Sequence, residues 1–194
     1  MNQTILYYLN NLVHRWSLAD NVATFLIQWS LWIIAALIIL VFLFGLLNKN
    51  DKQRTAAFNT GVLVLLCLAI GSLIGHFFHE TRPMYALSNI TELLPHVDDS
   101  SFPSDHMLIC FAAAFGFFAW RQWLGALLVF FGLFVGLAKI YAAQHYPLDI
   151  LWTIVLVAVI AIIYQALISR WVKKGYRFID RKVLAPLYPK KHQA

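Results

Sequence analysis

The stretch from Val22 to Leu47, VATFLIQWSLWIIAALIILVFLFGLL, decides the fold class. It carries no Asp, Glu, Lys or Arg. It is also longer than the roughly 20 apolar residues a helix needs to cross the hydrocarbon core of a bilayer. Four further apolar runs follow, within Ala56–Phe78, Ser104–Trp120, Trp123–Tyr141 and Ile150–Trp171. The third is short, and its polar start fits the membrane interface. Of the 194 residues, 61% are hydrophobic and 12% charged, with a mean hydropathy of +0.69. A soluble domain usually has about 25% charged residues, so lipid is the solvent here. In Met1 to Leu18, Ile5, Leu6, Leu9, Leu12, Val13 and Trp16 recur at helical spacing. That pattern predicts an interfacial amphipathic helix over roughly the first 20 residues. The expectation is one all-α integral membrane domain over 1–194, a bundle of five to six transmembrane helices with an N-terminal interfacial helix. No cleavable leader is expected, because no basic segment precedes an apolar run of the right length.

Charge orients the bundle. Lys49, Lys52 and Arg54 follow the first span, Arg121 follows the third, and eight Lys and Arg follow the fifth, up to Lys190 and Lys191. With five alternating spans, these twelve of the fifteen Lys and Arg share one side. The positive-inside rule makes that side cytoplasmic and residues 172–194 a basic cytoplasmic tail. Of the nine acidic residues, only Asp51 and Asp180 share it. The net charge of +6 therefore reflects topology and contact with anionic lipid. A nucleic-acid partner is not expected, since no aromatic interleaving or binding motif accompanies the charge. Cys67 and Cys110 lie in separate apolar runs and read as small buried hydrophobes.

Three polar stretches map to the other face: His76-Phe77-Phe78-His79-Glu80-Thr81-Arg82-Pro83, Phe102-Pro103-Ser104-Asp105-His106, and Lys139 to Asp149. Ionisable residues at membrane depth are costly and point to function. Pro103-Ser104 reads as a helix start, with Ser104 or Asp105 as N-cap. A helix N-terminus presents unpaired N–H groups to an anion such as phosphate. His106 in the first turn can move a proton, and Arg82 and Lys139 supply positive charge. His145 and Asp149 are four apart. If a helix begins near Pro147, Asp149 can reach back to the imidazole and fix its tautomer. Together these parts suit phosphoryl transfer, with one histidine attacking phosphorus and another protonating the leaving oxygen.

The three stretches resemble the signature motifs of the type 2 phosphatidic acid phosphatase superfamily. Arg82-Pro83 is similar to the end of the first motif, and Pro103-Ser104-Asp105-His106 to the second apart from Asp105. Lys139, His145 and Asp149 have the spacing of the third. The resemblance implies that His145 is the nucleophile, Asp149 orients it, and His106 is the general acid, while Arg82, Lys139 and the Ser104 region bind phosphate. Within the superfamily, Asp98 to His106 and His145-Tyr146-Pro147-Leu148-Asp149 look most like bacterial undecaprenyl-pyrophosphate phosphatases of the bacitracin-resistance type. That implies a polyprenyl pyrophosphate substrate, recycling of the wall-lipid carrier, and a site on the outer face of the plasma (inner) membrane. No cofactor is implied, apart from a divalent cation on the diphosphate. Three positions depart from the pattern. The first-motif Lys falls on Gly75, with His76 beside it as candidate substitute, the third-motif Arg is Lys139, and the preceding Ser is Ala138.

Plainer readings stand beside these. Arg82 and Lys139 can snorkel to headgroups, Ser104 and Asp105 can cap, and Asp98 and Asp99 can form a solvated loop. Rival functions are another lipid phosphatase or phosphotransferase (on phosphatidate, phosphatidylglycerophosphate or lipid A), a weakened polyprenyl-phosphate binder or transporter, and a metalloenzyme using His76, His79 and His96.

Overall fold

The fold is seen in a computed structural model that describes residues 2–95 and 99–184. His96, Asp98, Lys190 and Lys191 lie outside the described residues. The elements are helices α1 (Asn2–Asn10), α2 (Ser17–Leu47), α3 (Asp51–Phe77), α4 (Pro83–Ala86), α5 (Asp105–Phe118), α6 (Gln122–Tyr141), α7 (Pro147–Ile163) and α8 (Ser169–Ile179). A π-helical turn, Tyr164–Ile168, joins α7 to α8, so helix runs without a break from Pro147 to Val183. Four helices (α2, α3, α6 and the α7–α8 run) are long and apolar enough to cross a membrane; α5 is apolar but shorter. The five apolar runs are thus five helices, and the protein is an integral membrane protein.

The shortest of the five is the centre. α5 packs against α2, α3, α6 and α7. Met107, Leu108, Cys110, Ala112, Ala113, Ala114 and Phe117 are fully buried. Lipid tails are as apolar as these side chains, so burial from water does not choose this arrangement; close packing does, and small residues permit it. The run Ala112-Ala113-Ala114 lets neighbouring backbones approach, and a Cβ on Gly116 would press into Thr60 of α3. The longest helix shows the opposite. α2 buries a single stripe, Ala23, Ile27, Ser30, Ile34, Val41 and Gly45, and turns Phe25, Trp29, Trp32, Ile39 and Phe44 outward.

Two boundaries differ from expectation. The N-terminal helix ends at Asn10, not near residue 20. Turns occupy Asn11–Arg15, with His14 in the left-handed region at φ 64°, and residues from Ser17 belong to the first span. Asn10 explains the stop. Its side chain is 1% exposed, donates to the carbonyls of Thr91 and Tyr141, and accepts from the Thr91 N–H, pinning the long 78–104 connection to α6. At the other end, the described part of the basic segment after Trp171 is not a simple tail but continues α8 to Ile179 and a further helical turn. It is docked because Arg54 of α3 grips Asp180 with two bonds, 2.9 and 2.7 Å, and Tyr176 donates to the same carboxylate.

Candidate active site

The turn between α6 and α7 builds the site. α6 stops at Tyr141, and Ala143 takes φ 53°, a left-handed conformation usually given to glycine. For alanine this costs about 1–2 kcal/mol, and it is held by the Met84 N–H donating to the Ala143 carbonyl at 3.1 Å. The reversal sets Gln144 and His145 inside the protein, each 1% exposed, and Pro147 then starts α7.

Both ring nitrogens of His145 are engaged. Nδ1 lies 2.6 Å from the Ser101 carbonyl, and Nε2 lies 3.0 Å from Nη1 of Arg82. A carbonyl cannot donate and a guanidinium cannot accept. The proton is therefore on Nδ1, and the Nε2 lone pair faces Arg82. Burial, then the charges of Arg82 and Lys139, hold the imidazole well below its usual pKa. His145 is neutral, with one nitrogen ready to attack an electrophile.

Asp149 does not reach the imidazole, contrary to expectation. At the third position of α7 its carboxylate lies beside the helix's own start, where it accepts from the Tyr146 N–H at 2.9 Å and from the Ser101 hydroxyl. The Nδ1–H it was expected to hold is taken by the Ser101 carbonyl. Asp149 is thus linked to His145 through Ser101, a fully buried residue.

Arg82 is 4% exposed and spans the site. Nε donates to Asp99 at 2.7 Å and Nη1 to the Gln144 carbonyl at 2.9 Å, besides its contact with His145. Asp99, read from sequence as a solvated loop residue, is instead a half-exposed ion-pair partner, because it lies opposite this buried cation. Lys139 in the last turn of α6 is 1% exposed, and Nζ donates to Oε1 of Gln144 at 2.8 Å. Neither cation snorkels.

Ser104 stands at the N-cap of α5, but its side chain makes no capping bond. Its N–H donates to Thr153 Oγ1 of α7, and its own Oγ is buried with no partner among the described residues. A buried hydroxyl left unsatisfied is costly unless a ligand completes it. His106 in the next turn is half-buried, with Nε2 2.9 Å from the Ile27 carbonyl of α2. That ring nitrogen is directed at a neighbouring helix rather than at His145.

A cavity of about 350 Å³ opens beside these groups, lined by Gly75, His76, His79, Arg82, Asp99 and Asp105 among others. Arg82 forms its inner wall, with His145 behind. Of the residues singled out from sequence, His145, Arg82, Lys139 and Asp149 are linked directly or through Gln144 and Ser101, Ser104 reaches Asp149 through Thr153, His76 and Asp105 line the cavity, and Nε2 of His106 meets the Ile27 carbonyl. Sequence reasoning missed Ser101, Gln144 and Thr153. Ser101 and Gln144 sit within or beside the recognised stretches, but their contacts with Arg82 and His145 run through backbone carbonyls, which leave no trace in residue type. Among the described residues no three His, Cys, Asp or Glu form a metal-sized group.

This arrangement, a neutral imidazole against the buried Arg82, with Lys139 buried beside Gln144, suits binding and transfer of an anionic group. The PAP2 superfamily pattern matches residues 56–174. Undecaprenyl-diphosphatase BcrC of Bacillus subtilis (strain 168) is 30% identical over 164 residues, 84% of this chain and 82% of that one. The bacitracin transport permease protein BcrC of Bacillus licheniformis is 26% identical over 143 residues, 74% and 68% of the two chains. The crystal structure of Aquifex aeolicus LpxE shares the fold, with a TM-score of 0.65 at 23% identity over 85% of this chain and 94% of that one. The long apolar helices, the site geometry and the matched span lead to one conclusion: the chain belongs to the PAP2 superfamily and is a membrane lipid phosphatase.

Proposed function

We propose that the protein hydrolyses undecaprenyl pyrophosphate to undecaprenyl phosphate on the outer face of the plasma membrane, through a phosphohistidine. The observation that carries the reading is the tautomer of His145, with Nδ1–H on the Ser101 carbonyl and the Nε2 lone pair facing Arg82. Nε2 attacks the terminal phosphorus, the bond from phosphorus to the bridging oxygen breaks, and the lipid leaves as its monophosphate. Water then attacks the phosphohistidine and releases inorganic phosphate. Arg82, Lys139 and the Ser104 hydroxyl stabilise the charge on the transferring group. Arg82 has to turn Nη1 from His145 to the incoming phosphate. His106 is the general acid in this scheme, which requires its ring to release the Ile27 carbonyl. No cofactor is needed, and a divalent cation carried on the diphosphate would sit near Asp99 and Asp105. The relative at 30% identity, named an undecaprenyl-diphosphatase, supports the substrate. The clustered Lys and Arg at the far end support the orientation.

A phosphate-release panel over undecaprenyl pyrophosphate, phosphatidate, phosphatidylglycerophosphate and lipid A tests the substrate. Undecaprenyl pyrophosphate should be turned over fastest; preference for another lipid would overturn that assignment. His145→Ala should lower release by roughly a thousandfold or more. Carriage of a polyprenyl phosphate without turnover is the second reading, favoured by Gly75 in place of the first-motif Lys and by the permease name of one relative. It predicts that His145→Ala spares function in cells.

A further inference from the structure

A second concavity is remote from the chemistry. A groove of about 650 Å³ runs between α5 and α7, lined by Phe115, Phe118, Ala158, Ala161, Ile162 and Gln165 among others. Beside it lies a smaller cavity of about 210 Å³, lined by Lys52, Thr55, Asn59, Trp120, Lys173 and Arg177 among others. Ala119 lines both, so the two are adjacent. Lys52 and His76 are 24 residues apart on α3, which puts this cavity roughly 36 Å from the catalytic one at 1.5 Å per residue.

Three features need an occupant. First, Lys52, Lys173 and Arg177 converge from two helices, and no carboxylate among the described residues pairs with any of them. Asp180, just past the end of α8, is taken by Arg54 and Tyr176. Lys173 and Arg177 are like charges at i and i+4, which repel along a helix face. Other cations at this end have aromatic partners: Arg170 and Lys174 lie over Trp171, and Lys182 over Phe178. Second, the groove is almost wholly apolar and of a size that holds a lipid chain. Third, Nε2 of Gln165, a groove residue, is buried with no acceptor among the described residues. At membrane depth an unmet donor is expensive. Gln165 also lies in the π turn, at the level of the cavity floor, where Tyr164 donates to Asn59.

We infer that this end of the bundle binds an anionic glycerophospholipid. Its phosphate is seated on Lys52, Lys173 and Arg177, one acyl chain lies in the α5–α7 groove, and an ester carbonyl accepts from Gln165. Charge complementarity selects the headgroup, and the apolar groove adjacent to the cavity selects a lipid over a soluble anion.

The test is binding to the purified full-length protein, read by native mass spectrometry and melting temperature. The probes are phosphatidylglycerol, phosphatidylcholine and inorganic phosphate. Phosphatidylglycerol should be retained and raise the melting temperature; the other two should not. Lys52→Gln/Lys173→Gln/Arg177→Gln should bind phosphatidylglycerol roughly a hundredfold more weakly, each surface cation near anionic lipid contributing about fivefold. The charge-matched Arg170→Gln/Lys174→Gln/Lys182→Gln should keep affinity within about threefold of wild type on the same scale. Ala158→Trp, which fills the groove without touching a charge, should lose retention. If the cavity triple does not fold, Lys173→Gln alone, expected to bind about fivefold more weakly, decides the matter. Equal loss in both triples, equal retention of phosphatidylcholine, or phosphate binding as tight as lipid with Ala158→Trp unaffected would each overturn the assignment.

Discussion

Arg54 and Arg82 are equally buried, each 4% exposed, and stand at opposite ends of the bundle. Their surroundings differ. Arg54 is bidentate to Asp180, whose side chain is 7% exposed, donates to the Gly45 carbonyl, and shares its carboxylate with Tyr176. Its environment is closed. Arg82 pairs with Asp99, whose side chain is 51% exposed, and turns Nη1 towards the lone pair of His145 beside an open cavity. Burial of a cation therefore does not say what it is for. A cation whose partners are themselves buried holds elements together, and one whose partners open to a cavity is available to a ligand.

Substitution of the two arginines is the strongest way to break this distinction. Arg82→Ala should cut phosphate release by about a hundredfold to a thousandfold while leaving the protein folded. Arg54→Ala should do the reverse. It leaves Asp180 buried and unpaired, at a cost of about 3–5 kcal/mol in stability, with turnover per folded molecule little changed. Loss of turnover in fully folded Arg54→Ala would end the comparison. Ser101→Ala comes next, with an expected drop of about tenfold in kcat, because the Asp149 contact is lost but the Ser101 carbonyl still holds Nδ1. An unchanged rate would show that Asp149 works by another route.

The pH profile sharpens the electrostatic side. Burial, with Arg82 and Lys139, holds His145 neutral, so an acid limb set by this residue should lie well below 6.5. Lys139→Met removes one of those charges, and the limb should move up in pH. The same shift bears on stability. The unfolded imidazole takes a proton below about 6.5 and the native one does not, so stability is full above that pH and falls as pH drops towards the lower native value. The pH dependence of melting should be flatter in His145→Ala. The smallest effect concerns Gly75. A Cβ there meets nothing closer than the Phe102 carbonyl at 3.5 Å. Gly75→Ala in helix α3 should therefore add about 0.5–1 kcal/mol of stability. Gly75→Lys, which restores a cation to the cavity wall, should lower KM a few-fold on the scale of one exposed charge contact. No change in KM would place that wall away from the substrate.

Much of this was legible in residue type. Five apolar runs became five helices because period and length alone satisfy a bilayer. The spacing of Lys139, His145 and Asp149 placed them at one turn because α6 and α7 are joined by so few residues. Other features were not. Ala143 has an ordinary side chain and an unusual backbone. Asp99 looked solvated because its partner lies 17 residues away. Asp149 was read as touching His145 because spacing ignores the Ser101 carbonyl, which arrives from a separate connection. Likewise, nothing in the order of runs says that the shortest, α5, is the centre.

By itself the sequence determined that this is a helical membrane protein with a histidine phosphatase motif on one face, because hydropathy and motif spacing act through local geometry. Only the tertiary structure decided which nitrogen of His145 carries the proton, that Asp149 bonds Ser101 and not the imidazole, and which of two buried arginines borders an open cavity. Those depend on main-chain groups and side chains brought together from distant segments, and hydrogen-bond partnership between them is fixed only when the helices pack.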